Sequence, residues 1–346
     1  MVAFSKYSSI ENSYRKEFIE RIHHAGRADQ QYVIEEKVHG ANLSFWVTRT
    51  DLKVAKRTDF LAPDENFYNY QSIVTKYQAH TRQLFDLSQE WVKKRHIGTA
   101  VLVVIYGELF GGSYPHVDVP SDPNAKRVAK GVDYSPVNDY YTFDVRITTD
   151  DEKHHYPDVF TRNQLLEQAG FFYARPLFTG TLTECLDYPI TFDTLIPQWL
   201  GLPLIEGNLC EGVVIKPVET TFLPNGKRII LKRKNDNFAE RKLRVKKHTD
   251  SSTQSLSPHI QEIINIANEY VTKTRYANLL TKYGQFSEQE FGKLVGLYIK
   301  DLLEDFTKDH GESFMGLPKN ERKQITKRLS RIVPRTLRKY MEEEKM

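Results

Sequence analysis

The chain has 346 residues, with 49 Lys and Arg against 45 Asp and Glu and a formal net charge of +4. This length supports two domains and a substantial core, and so mild a charge means that any nucleic-acid surface must come from local clustering, not bulk charge. Cys185 and Cys210 lack metal-ligand spacing, and with no run of eighteen or more apolar residues and no hydrophobic N-terminal block, a soluble cytoplasmic enzyme without a membrane partner is expected.

Tyr32, Val33 and Ile34 read as a strand, Gly40 as a tight turn, and Leu43, Phe45 and Val47 alternate as a second strand. Lys37 therefore falls near a strand end. An ordinary lysine has a pKa of about 10.4, so using its neutral amine at pH 7 costs about 4 to 5 kcal/mol unless burial, other cations or a metal lower that value. Alone, Lys37-Val38-His39-Gly40 reads more readily as a surface lysine before a hairpin than as a nucleophile.

Apolar positions from Phe67 to Tyr77 and from Leu84 to Val92 predict one or two helices. The apolar run from Val103 then ends in Glu108, framed by Gly107 and Gly111-Gly112, where glycines permit close approach of a ligand. Val119 to Tyr134 reads as a long loop. In the next strand, Tyr140 to Val145, Tyr141 and Phe143 share a face, and either ring could stack on a base. Thr161–Ala169 and 182–200 read as helical or mixed. Glu211 opens a strand that closes at Lys216-Pro217. In an unbroken strand those two residues would face opposite ways, so a bulge, twist or strand end must intervene. Lys232 and Lys234 alternate with Ile229 and Leu231 on the other face. From Lys227 to Lys247, Arg228, Arg233, Arg241, Lys242, Arg244 and Lys246 add to a basic cluster opposed by Asp236 and Glu240.

Residues 248–258, rich in Ser and Thr and closed by Pro258, read as a linker between a domain over 1–247 and a helical domain over 259–346. Ser287-Glu288-Gln289-Glu290 matches a capping box flanked by Phe286 and Phe291 as a hydrophobic staple. The apolar positions from Phe291 to Phe306 then follow helical spacing. Lys327, Arg328, Arg331, Arg335, Arg338 and Lys339 decorate the last helices, which Pro334 is expected to kink or interrupt. They would line a duplex backbone or solubilise a bundle.

Taken singly these features are weak, but their order resembles that of the covalent nucleotidyltransferases, in which a lysine amine attacks the α-phosphate of a nucleotide. Capping enzymes and DNA ligases typically carry Asp where His39 stands. K-x-H-G-x-N resembles the RNA ligase 2 family of phages, other viruses and kinetoplastid editing enzymes. Lys6 to Asn12, Ala55-Lys56-Arg57-Thr58, Lys232 to Phe238 and Phe291 to Leu297 resemble phage RNA ligase 2, so the likeness covers nearly the whole chain. Glu108 to His116 looks closer to the editing branch, whereas Ser287 to Phe306 resembles the phage helical domain.

This resemblance implies an α+β fold: a nucleotidyltransferase (adenylyltransferase) domain of mainly antiparallel sheets with flanking helices, followed by an all-α RNA-binding domain. It implies an ATP-dependent RNA ligase that joins 3′-hydroxyl and 5′-phosphate ends, preferentially at duplex nicks, through lysyl-AMP and adenylylated RNA. Lys37 would be the nucleophile, Lys232 and Lys234 would hold the α-phosphate and depress the Lys37 pKa, and His39 would serve the later transfers. Phe143, or Tyr141, would stack on adenine. Glu108 would accept from a ribose hydroxyl, Glu36 would offer backbone contacts to the base edge, Arg57 would bind the RNA 5′-phosphate, and Lys216 would touch nucleotide phosphate. Mg²⁺, or Mn²⁺, would be held through water by Asn42 and Glu211. A monomer without an obligate protein partner is expected. The competing readings are a DNA ligase or capping guanylyltransferase, against which His39 and a helical second domain argue, and a non-catalytic RNA-binding relative.

Overall fold

The computed structural model describes residues 2–239 and 258–345, which fall into two compact units, one within 1–237 and one within 238–346. The basic residues from Arg241 to Lys247, and all of the expected linker except Pro258, lie outside the described residues. Pro258 itself opens a helix.

In chain order the first unit contains β1 (Glu11–Asn12), α1 (Lys16–His24), β2 (Tyr32–Glu36), β3 (Ala41–Val47), β4 (Leu52–Lys56), α2 (Tyr70–Lys94), β5 (Ala100–Ser113), β6 (Ser135–Thr149), β7 (His154–His155), α3 (Val159–Gln168), β8 (Pro176–Gly180), α4 (Leu182–Asp187), α5 (Ile196–Trp199), β9 (Gly212–Pro217) and β10 (Leu231–Lys234). One sheet has the order β1-β10-β9-β2-β8 and the other β4-β3-β5-β6-β7. Among the described residues, the strands of these sheets pair antiparallel except β1 with β10.

Alternation along the strands separates three apolar layers. Leu43, Phe45, Val103, Ile105 and Val145 pack with Ile73, Tyr77 and Leu84 of α2, and with Leu165 and Leu166 of α3. Ile34, Val213, Ile215 and Leu231 pack with Phe18 and Ile22 of α1 and with Leu182 of α4. Trp46, Val104 and Tyr106 of the second sheet meet Val214 of the first, with Tyr7 and Ile230. The two sheets therefore lie face to face with helices outside, and polar side chains on the inner faces point into the space between them.

The sequence leaves open that β2 and β3 form a hairpin, but they belong to different sheets, so residues 37–40 cross from one sheet to the other. Gly40 is not a left-handed turn residue. It is required by close approach instead: a Cβ there would stand 2.2 Å from the Leu109 carbonyl oxygen.

The second unit contains α6 (Pro258–Glu269), α7 (Lys273–Tyr283), α8 (Phe291–Met315) and α9 (Lys319–Lys345). Ser287 and Glu290 form the expected capping box at a 3₁₀ turn leading into α8. Leu294, Tyr298, Leu302 and Phe306 are buried with Ile325, Leu329, Val333 and Leu337 of α9. Pro334 does not interrupt α9, which continues through it. The four-residue repeat of buried side chains on either side offsets a penalty of about 3 kcal/mol for an interior proline. The non-helical break falls in α8, at His310.

Candidate active site

The segment 37–40 leaves β2 held to the neighbouring strand, the Lys37 amide donating to the Gly212 carbonyl at 2.9 Å. The Lys37 ammonium lies 2.7 Å from Glu211 Oε2, and the Lys234 ammonium lies 3.1 Å from Glu211 Oε1. His39 Nδ1 stands 3.6 Å from the same carboxylate. Burial would raise the Glu211 pKa, but Lys37, Lys234 and His39 overcome it and hold the carboxyl well below its ordinary value. The sequence places cations beside Lys37; in the structure an anion stands between Lys37 and Lys234 and ties the two together.

Glu211 reaches this cluster because β9 begins only at Gly212. That glycine has φ +141°, and a Cβ on it would stand 2.1 Å from the Arg233 carbonyl oxygen. The strand end is thus the break that the opposite parity of Glu211 and Lys216 demands. Lys232, opposite Val214 in the ladder, and Lys234, opposite Gly212, share the inner face of β10.

From the second sheet come Asn42 and Glu108, directly opposite each other in the β3–β5 ladder. Burial pushes the Glu108 carboxyl up to about 7, and the Glu211 charge adds to this; Lys37, Arg57 and the Gly40 amide offset it only in part. Glu108 is therefore within electrostatic reach of Lys37, Glu211 and Arg57. Asn42 Nδ2 donates to the Gly107 carbonyl at 3.4 Å.

The two aromatic candidates differ in their surroundings. β6 bulges against β5 at Phe143, because Tyr106 pairs with Asp144 and Gly107 with Thr142. Tyr141 is 2% exposed, and its hydroxyl donates to the Glu36 carbonyl at 3.2 Å. Phe143 is half-buried, edge-on to Tyr7 at 5.3 Å. The bulge thus leaves Phe143 as the ring with accessible surface.

The side chains of two further candidates, Lys216 and Glu36, have partners other than the Lys37 cluster. The Lys216 ammonium pairs with Glu35 Oε2 at 2.7 Å and donates to the Phe143 carbonyl at 3.0 Å. Burial lowers its pKa to about 8. The Glu36 side chain accepts from the Thr194 hydroxyl and, at 3.0 Å, from the Leu195 amide. Sequence reasoning missed Glu35, Arg162 and Asp144, and it counted Arg228 in the basic cluster, whereas the structure buries that side chain. The Arg162 guanidinium joins Glu35 and the Phe143 carbonyl, while Arg228 joins Asp144. An arginine within a helix carries no local mark of a partner 127 residues away.

Burial pushes Glu36 up to about 7, the hydrogen bonds from Thr194 and Leu195 opposing only in part. The folded chain therefore holds the Glu36 proton more tightly than the unfolded chain, and this contribution to stability, present below the ordinary carboxyl pKa, is lost as pH rises through about 7. Between pH 4 and pH 8, Glu36→Gln should gain about 3 kcal/mol of unfolding free energy relative to the parent. Urea midpoints at the two pH values measure it; equal pH slopes for parent and variant would contradict the assignment.

Residues 30–234 match the family described as RNA ligase. The chain belongs to the RNA ligase family. Residues 254–335 also match the family described as T4 RNA ligase 2 C-terminal, in line with the resemblance carried by its motifs. The chain is 29% identical to RNA-editing ligase 1, mitochondrial, of Trypanosoma brucei brucei, over 88% of this chain and 76% of that protein. It is 27% identical to RNA-editing ligase 2, mitochondrial, of the same organism, over 94% of this chain and 88% of that one. A Naegleria gruberi RNA ligase solved with PPi is similar at 15% identity and TM-score 0.40, covering 68% of this chain and 57% of that one. The protein is thus an RNA ligase of α+β architecture, with RNA as substrate.

Proposed function

We propose that this RNA ligase joins 3′-hydroxyl and 5′-phosphate RNA ends, preferentially at nicks in duplex RNA, with Lys37 as the nucleophile that carries AMP. The observation that supports this reading is the convergence of Lys37 and His39, which follow β2, and of Lys234 on β10 onto the single carboxylate of Glu211, with Glu108 of the other sheet within electrostatic reach. In the first transfer the Lys37 amine bonds to the α-phosphorus of ATP and pyrophosphate leaves. In the second, an RNA 5′-phosphate oxygen takes the adenylyl group from Lys37. In the third, an RNA 3′-hydroxyl attacks the adenylylated phosphate and AMP leaves. Because phosphoryl oxygens carry concentrated charge, Lys232 and Lys234 on one strand face act by position and charge. Phe143 stacks on adenine and Glu108 accepts from the ribose.

The residues present suit a divalent metal. Asn42 uses its amide nitrogen on Gly107, which turns its oxygen to other uses, and burial next to the Glu211 charge keeps Glu108 partly protonated, a burden that a cation relieves. These are hard oxygen donors, suited to Mg²⁺ or Mn²⁺ held through water by Asn42 and Glu211. The metal supplies charge neutralisation at the phosphate oxygens.

In the second unit Lys327, Arg331, Arg335 and Arg338 are exposed along α9, on the side opposite Ile325, Leu329, Val333 and Leu337. That stripe supports a role in gripping duplex phosphates, with the salt dependence such contacts bring.

Incubation with labelled ATP and Mg²⁺ should leave AMP on the protein, and Lys37→Ala should abolish it. No adduct in the parent over a range of pH and divalent metals, or an adduct that survives Lys37→Ala, would overturn the reading. Sealing rates on nicked duplex RNA, nicked DNA and hybrid nicks then test the preference, which fails if nicked duplex RNA is not the fastest of the three.

A further inference from the structure

The segment that carries Lys37 and His39 is gripped from a second side by residues outside the charged cluster. The His39 amide donates to the Tyr134 hydroxyl oxygen at 2.8 Å, and both residues are buried. Tyr134 ends the long 114–134 loop and is firmly seated. Its ring lies edge-on to Phe110 at 5.7 Å. The Asn208 side chain clamps the backbone of the preceding residue from both sides, Oδ1 accepting from the Asp133 amide at 2.9 Å and Nδ2 donating to the Asp133 carbonyl. The Asn208 carbonyl in turn accepts from the Thr194 amide at 2.9 Å, and the Thr194 hydroxyl donates to Glu36. These contacts close a ring from Glu36 through Thr194, Asn208 and Tyr134 back to His39, with Lys37 and Val38 in its short arc.

Lys37 and His39 depend on this ring to different degrees. Lys37 is fixed from β9, by the Gly212 carbonyl on its amide and by Glu211 on its ammonium. The backbone of His39 is fixed by Tyr134.

We propose that Tyr134 is a positioning residue that sets the His39 imidazole against Glu211 for the transfers after adenylylation, with Asn208 holding Tyr134 in place. This rests on the assignment of Lys37 and His39 above. Removing the Tyr134 hydroxyl takes away the hydrogen bond that it makes to the buried His39 amide and so loosens the hold on this stretch of backbone. A shift of about 1 Å in a catalytic group is enough to cost about a hundredfold in rate.

The test uses the full chain and two assays: AMP transfer from labelled ATP to the protein, and sealing of a chemically pre-adenylylated nick in duplex RNA. Tyr134→Phe and Asn208→Ala should each slow sealing by about ten- to a hundredfold while changing protein adenylylation by no more than about threefold. In a His39→Ala background Tyr134→Phe should add no further loss, because a residue acting through His39 has nothing left to position. A merely structural residue would lower both assays and add its loss to that of His39→Ala. Parent-like sealing by Tyr134→Phe, equal losses in the two assays, or additive losses in the double variant would overturn the proposal. Should Tyr134→Phe fail to fold, Asn208→Ala carries the same comparisons. A parent that forms no adduct would instead sink the Lys37 assignment.

Discussion

Glu211→Gln should fold, lose about 3 kcal/mol or more of stability, and adenylylate itself at least about a hundredfold more slowly than the parent. The Glu211 carboxylate is 2% exposed and meets Lys37 at 2.7 Å, Lys234 at 3.1 Å and the His39 ring at 3.6 Å. Glutamine keeps the shape and removes the charge, leaving largely buried cations without their common partner; breaking such a pair from one side typically costs about 3 to 5 kcal/mol. The kinetic loss follows from position, since Lys37 and Lys234 lose the carboxylate that ties them together. Chemical denaturation and the labelled-AMP assay measure the two effects separately. The pH dependence supplies a further check. Because the folded-state pKa of Glu211 is depressed, its contribution is present above the ordinary carboxyl value and is lost as pH falls. The stability gap between parent and variant should therefore narrow in acid. A variant with parent-like stability and adduct formation would show that Glu211 does not organise the cluster.

Most of this cluster is legible in the chain because its members sit where strand geometry leaves a mark. Lys232 and Lys234 alternate with apolar residues, and the parity read from that alternation is the one the ladder shows, with Leu231 in the outer layer and Val214, opposite Lys232, in the inner one. Glu108 ends an apolar run framed by glycines, and Glu211 precedes a glycine. The conflict between Glu211 and Lys216 is readable as a conflict, and a strand end at a positive-φ glycine resolves it. Sheet membership is not readable. Four residues between two apolar runs look like a hairpin connection, whereas residues 37–40 pass between sheets, and the need for Gly40 comes from a carbonyl 69 residues away. The same holds for Glu35, Arg162, Asn208 and Tyr134, whose roles arise from contacts across distant segments. The resemblance implies a phosphate contact for Lys216, while its pairing with Glu35 is visible only in the packed interior. Pro334 shows the complementary case, in which a strong local signal yields to the buried face of a long helix.

Arg228→Met should cost about 3 to 5 kcal/mol and displace the aromatic ring assigned to adenine, which makes it the most damaging substitution expected outside the charged cluster. Arg228 and Asp144 are paired with side chains 4% and 3% exposed. Asp144 also accepts from the Tyr7 hydroxyl at 2.8 Å, while Arg228 donates to Thr220 at 2.9 Å and lies over the Tyr156 ring at 4.5 Å. Asp144 belongs to one sheet, Arg228 precedes the last strand of the other, and Tyr7 comes from the N-terminal segment, so the pair locks three elements together. Burial would raise the Asp144 pKa, but Arg228, followed by Lys216, brings it down to about 2. Its stabilising contribution is therefore present above the ordinary value of 3.8 and lost as pH falls toward 2. The single variant strands a buried carboxylate, which accounts for the size of the effect. Adding Asp144→Leu removes that stranded charge and should recover part of the loss, so the double variant should be more stable than Arg228→Met alone. Phe143 precedes Asp144 at the bulge, so loss of the pair should also weaken ATP binding, seen as a raised KM for protein adenylylation. Denaturant titrations of both variants, with the ATP dependence of adduct formation, test this directly: a single variant of parent-like stability, or a double variant less stable than the single, would show that the pair does not lock the sheets.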